Sequence, residues 1–140
     1  MNEELVHGLL DINHMMRKLY EGKASQSRIL IILYEQKEIN QKKLTEILGI
    51  QPGSVSEILA KLEKAELIHR IPGKEDHRTL QIRLTKQGEI RAIEAIERRK
   101  ERHEQMFACL TQEEKENLLQ LLSKLSLDWQ ERFSFTDKRM

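Results

Sequence analysis

The side chains able to do chemistry gather between Asn40 and Thr85. They are small polar groups and cations, with no nucleophile poised beside a base. Gln51, Gly53, Ser54 and Ser56 stand together around Pro52. A serine hydroxyl donates or accepts and a glutamine amide matches the adenine edge, so this group suits base edges, read with modest selectivity. Lys42, Lys43 and Lys61 flank it and suit phosphate oxygens, which add affinity rather than sequence choice. No nucleophile–base set, phosphate-cradling loop or pair of catalytic carboxylates is present, which argues against an enzyme. His7, His14 and the His103–Glu104 pair lack metal-ligand spacing, so neither a metal nor another cofactor is expected. The single cysteine excludes an internal disulfide. Set among Met106, Phe107 and Leu110, Cys109 is expected to be buried and inert.

Two helices must hold the polar group. The first carries Leu44, Ile47 and Leu48 on one face, with Asn40 as its N-cap. Gly49 can take the left-handed conformation that ends it. Pro52 suits the first turn of the second helix, where a missing N–H is harmless. That helix turns Val55, Ile58, Leu59 and Leu62 inward and leaves its small polar residues outward. Its N-terminal N–H groups and positive dipole end favour a phosphate. A helix-turn-helix presents its recognition helix to the major groove in this way. A two-stranded hairpin should follow, with arms Leu67–Ile71 and Thr79–Thr85. In the second arm Leu80, Ile82 and Leu84 alternate with Thr79, Gln81 and Arg83. The tip, Pro72–His77, holds turn formers and charge.

Helices should flank this stretch. Residues 3–20 carry Leu5, Leu9, Ile12, Met16 and Leu19 on one stripe, widened by Val6 and Leu10. The run Ile29–Leu33 fits a buried strand by periodicity alone; its place between helices makes it a core helix, Arg28–Gln36, behind the cap candidates Ser25 and Ser27. Thr85 should cap a long helix reaching Leu110, whose middle, Glu97–Glu104, is almost wholly charged and buries no face by itself. Thr111 and Glu114 have capping-box spacing ahead of a leucine-rich last helix, with Trp129, Phe133 and Phe135 extending its apolar character.

The 140 residues suit one domain-sized unit, and 34% charged with 4% aromatic residues favours long solvated helices over a sandwich or barrel. No apolar run approaches the roughly 18 residues of a membrane span, and the opening MNEELVHGLL is unlike a signal peptide, so a cytoplasmic location is expected. Net charge is only +1, but residues 40–88 hold nine Lys/Arg against six Asp/Glu while both flanks are slightly negative. The surplus lies on the stretch that would face a polyanion.

The helix pair, then Leu67-Ile68-His69-Arg70, Asp76-x-Arg78 and Leu84-Thr85-x-x-Gly88, keep an order and spacing that resembles the MarR family of winged-helix transcription regulators. The likeness covers nearly the whole chain. It implies a mainly α fold with a small β-hairpin wing: a winged helix-turn-helix lobe at residues 25–88 and a helical dimerisation lobe built from residues 1–22 with 89–135. It also implies a homodimer on double-stranded DNA with an inverted-repeat operator, acting as a repressor released by a small-molecule effector. By the same likeness Arg78 enters the minor groove from the wing, with Lys74 and His77 beside it on the DNA. Asp76 orients the wing by pairing with Arg70 or with Arg78 itself. The sequence departs from the family pattern at His77, where arginine is usual, at Glu66, where glycine often stands, and at Glu57 on the recognition helix. Glu57, Glu66 and the modest charge surplus keep a second reading open, a winged-helix module that binds protein. A thiol- or metal-responsive regulator is a third.

Overall fold

The structure, a computed structural model, describes residues 1–19, 24–73 and 78–133. The chain runs α1 (Asn2–Leu19), α2 (Ala24–Gln36), β1 (Glu38–Asn40), α3 (Gln41–Leu48), α4 (Pro52–Lys64), β2 (Ile68–Pro72), β3 (Leu80–Leu84), α5 (Lys86–Met106) and α6 (Gln112–Arg132). It is mainly helical, as expected. It divides into two compact units, Met1–Ala95 and Ile96–Met140. None of its described helices is long and apolar enough to cross a membrane.

The core of the first unit joins Ile29, Leu30 and Leu33 of α2 to Leu44 and Leu48 of α3 and to Val55, Leu59 and Leu62 of α4. Ile39, Ile68 and Ile82 come from the sheet, and Ala92 from α5. Fully burying a side chain of the Val, Leu or Ile size stabilises by roughly 1.5–3 kcal/mol, so this cluster is what holds the helix pair in place. Ile29, Leu30, Ile31 and Leu33 are all buried, which is why α2 shows no amphipathic period. It begins at Ala24, ahead of the expected start, so Ser25 and Ser27 lie inside the helix rather than capping it. Ile47, expected on the inner face of α3, is exposed.

The expected hairpin is present as β2 and β3, and a third strand, β1, not expected from the sequence, pairs with β3. The sheet has three antiparallel strands in the order β1-β3-β2, with Ile39 opposite Ile82 and Arg70 opposite Ile82 on the other side. Three residues are too short to show alternation, so β1 is defined by its partner strand rather than by its own pattern.

The helix ends follow local rules. Asn40 accepts from the Lys43 N–H at 2.7 Å and starts α3, and Gly49 ends it at φ 65°. α4 ends in a Schellman motif: Leu67 N–H donates to the Leu62 carbonyl and Glu66 N–H to the Glu63 carbonyl. Glu66 occupies the left-handed position at φ 61°, as Lys37 does after α2 at φ 66°. A non-glycine residue there costs roughly 1–2 kcal/mol, partly offset by glycine's own entropy loss. Glu66→Gly should therefore stabilise by up to about 1 kcal/mol, read as a higher denaturant midpoint with unchanged slope. A lower midpoint would show that the Glu66 side chain contributes more than the strain removes.

The Thr85 hydroxyl accepts from Gly88 N–H at 2.9 Å and donates to the Glu66 carbonyl at 2.7 Å, so one residue caps α5 and ties it to the end of α4. In the second unit Thr111 and Glu114 form the full capping box, and α6 buries none of its residues. Nor does α1 in the first unit.

Candidate nucleic-acid interface

α4 has two unlike sides. Val55, Leu59 and Leu62 are buried and Ile58 is half-buried, while Gln51, Gly53, Ser54 and Ser56 are exposed together at its start. The same register that buries the apolar side presents the polar one. Gln51 sits at the N-cap with extended backbone, yet its side chain makes no cap bond. A Cβ added at Gly53 would meet nothing within 4 Å, so the absence of a side chain there serves no packing need of the chain itself. It lets an outside surface approach the helix start, where N–H groups and the dipole favour phosphate.

Lys42 and Lys43 lie in the first turn of α3, and Lys61 on the later turns of α4; all three are exposed. Gln41, which precedes the lysine pair, donates from Nε2 to Ser56 Oγ at 3.0 Å. This bond sets the start of α3 against the second turn of α4. Gln41 carried no signal of its own in the sequence beyond following an N-cap, because its partner is fifteen residues away. Glu57 is exposed on α4 and adds a negative charge to that surface.

The wing is described in part. Arg78 is exposed just ahead of β3. Lys74, Asp76 and His77 lie outside the described residues. Asp76, expected to pair with Arg70 or Arg78, is one of those three; Arg70 itself is engaged by Glu63. Its Nε and Nη2 donate to the two carboxylate oxygens, each at 3.2 Å. The pair joins β2 to the last turn of α4, so Arg70 braces that helix against the sheet. The fork geometry favours such a bidentate bond. The Arg70 hydrogen bond, with a smaller contribution from its charge, holds the Glu63 carboxyl below its ordinary pKa. A depressed carboxylate stabilises the fold above its unfolded pKa. Its contribution is in place at neutral pH and fades as pH falls through the carboxylate range. The Glu63 side chain is 44% exposed, so that contribution is small.

Cys109 also departs from expectation. α5 ends at Met106, before the predicted Leu110, and the cysteine falls in the following turn, where it is exposed rather than buried. Among the described residues no group of three or more His, Cys, Asp or Glu is placed to hold a metal ion.

Comparison with known proteins agrees with this geometry. A family model for the MarR family matches residues 23–80. The HTH-type transcriptional regulator YdgJ of Bacillus subtilis is 32% identical over 127 residues, covering 87% of this chain and 77% of that protein. The regulator YpoP of the same organism is 36% identical over 118 residues, covering 82% and 80%. Among solved structures, a mutant MarR of E. coli complexed with operator DNA matches at TM-score 0.68 and 21% identity, over 88% of this chain and 91% of that one. A MepR–DNA complex from S. aureus matches at TM-score 0.66 and 23% identity, over 90% and 93%. At that identity the likeness is one of fold, and the fold is the one described above. The chain belongs to the MarR family of winged-helix, DNA-binding transcription regulators, a family of regulators rather than enzymes.

Proposed function

We propose that this chain works as a homodimer in the cytoplasm, holding an inverted-repeat operator and repressing transcription until a small-molecule effector releases it. The observation that carries the reading is the outward side of α4: Gln51, Gly53, Ser54 and Ser56 exposed over an inner side that buries Val55, Leu59 and Leu62. In the reading, α4 enters the major groove and supplies base contacts through Gln51, Ser54 and Ser56. Gly53 allows close approach, and Lys42, Lys43 and Lys61 meet phosphates. The wing follows the backbone to the minor groove with Arg78, Lys74 and His77, where narrow-groove potential favours a cation. Asp76 orients the wing.

The dimer is supported by apolar surface that a lone chain leaves in water. Leu5, Leu9, Ile12 and Met16 of α1 are exposed, as are Leu119, Leu122 and Leu125 of α6. An apolar stripe left exposed along a helix, as on each of these two, marks association. Residues 1–22 with 89–135 would then form the dimerisation lobe. Two-fold symmetry in the protein asks for an inverted repeat in the DNA, with half-sites roughly 34–36 Å apart. An effector that binds one spacing of the two recognition helices better than another would suffice to release the DNA.

Arg78→Ala tests the wing. Operator affinity should fall about tenfold, the slope of log affinity against log salt should lessen by about 1, and the dimer should remain. Fluorescence anisotropy at several salt concentrations, with sedimentation as the control, reads all three. An unchanged affinity and slope would remove the wing from the mechanism.

A further inference from the structure

We infer that Glu57 is a base reader, accepting a hydrogen bond from the N4 amino group of cytosine at one position of each half-site; this rests on the reading of α4 as the recognition helix. Val55 and Leu59 are both fully buried, and Glu57 stands two residues from each. At 3.6 residues per turn, two residues make about 200° of rotation, so Glu57 lies opposite the midpoint of the buried pair. Its neighbours along that outward line are small. Gly53 stands one turn before, where a Cβ would meet nothing within 4 Å, and Ala60 is exposed in the turn after. When a helix lies in a groove along such a line, the long side chain between two small residues reaches deepest. Among the described residues none hydrogen-bonds or pairs with the Glu57 carboxylate, Lys61 one turn on included.

An ionised carboxylate accepts through two oxygens and donates nothing. In the major groove cytosine offers a donor, its N4 amino group. Guanine offers the acceptors O6 and N7, thymine offers O4, and adenine sets the acceptor N7 beside its N6 amino group. Reversing a pair moves the amino group to the other side of the groove, so the two orientations differ. The carboxylate therefore bonds cytosine, meets adenine in part, and is left without a donor against guanine or thymine. A charge taken out of water without a partner is costly, so the preference comes from rejection as much as from attraction. Repulsion from phosphate alone would weaken every duplex alike and favour no base.

The test uses a duplex recovered from a random pool, with each of the four base pairs placed in turn at every half-site position. The full-length wild type, Glu57→Gln and Glu57→Ala are titrated against the set, with thermal melting to confirm folding. The wild type should favour cytosine over guanine and thymine at one position by about tenfold, the usual size of a single mismatch. Glu57→Ala should bring the ratios at that position near one and leave the other positions as in the wild type. Glu57→Gln keeps the shape, but its amide both donates and accepts and matches adenine N6 and N7. The preferred base there should change from cytosine to adenine. Both variants lose a charge that phosphates repel, and ratios within one variant cancel that uniform gain. If both variants bind every duplex more tightly by one common factor, with all ratios kept, Glu57 acts by repulsion alone; the inference is then overturned while the reading of α4 stands. A wild-type preference for another base at the position that Glu57→Ala levels would overturn it too. If the wild type recovers no duplex from the pool, the reading of α4 fails and the inference with it.

Discussion

Gly88→Ala should destabilise the protein by about 3 kcal/mol. Gly88 lies in the first turn of α5 and is buried. A Cβ built there falls on the carbonyl oxygen of Leu67, with the Leu84 side chain at 3.1 Å. The obstacle is backbone, and that carbonyl already accepts from Thr85 N–H at 3.1 Å, so it is held on its own side. Alanine would gain up to about 1 kcal/mol in helix propensity. The loss exceeds that gain, because the end of α4 and the start of α5 must part to admit one methyl group. The melting temperature should drop by roughly 10 °C, while Gln87→Ala, one residue earlier and exposed, should change stability by less than about 0.5 kcal/mol. Equal melting temperatures for Gly88→Ala and wild type would show that α5 can move without loss.

Leu9→Asp combined with Ile12→Asp should dissociate the proposed dimer and cut operator affinity by roughly 10²-fold or more. In the lone chain Leu9 is 40% and Ile12 54% exposed, and α1 buries no residue, so the core of the first unit makes no demand on either side chain. Two carboxylates at a face covered by a second copy would be buried without partners, which association cannot tolerate. The operator effect follows because a monomer engages one half-site and loses the gain of linked binding. Sedimentation of the double variant reads the first effect and titration with operator the second. A double variant that still sediments as a dimer would remove α1 from the interface, and a monomer with undiminished affinity would remove the dimer from recognition.

What could be read in the sequence was what depends on residues three or four apart. The caps at Asn40, Thr85 and Thr111 and the stop at Gly49 are all of that kind, and each is found where it was expected. So was the inner side of α4, whose period buries Val55, Leu59 and Leu62. What stayed hidden depends on partners far along the chain. β1 exists because β3 pairs with it. Arg70 meets Glu63 because folding brings β2 beside α4. The Gln41–Ser56 bond crosses two helices, and neither residue type announces it. Cys109 looked buried because apolar neighbours surround it in sequence; the helix ends at Met106 and turns those neighbours out of register. Of the candidate contacts, the group on α4 was legible as a set, since one helical register presents all of it at once.

Selection of bound duplexes from a random DNA pool, at two salt concentrations, tests the central claim most directly. A dimeric reader should enrich an inverted repeat with half-sites roughly 34–36 Å apart, about one helical turn. Its affinity should fall steeply as salt rises. No enrichment at either salt, with the protein folded, would contradict sequence-specific binding and point to a winged helix whose exposed α4 surface serves a protein partner.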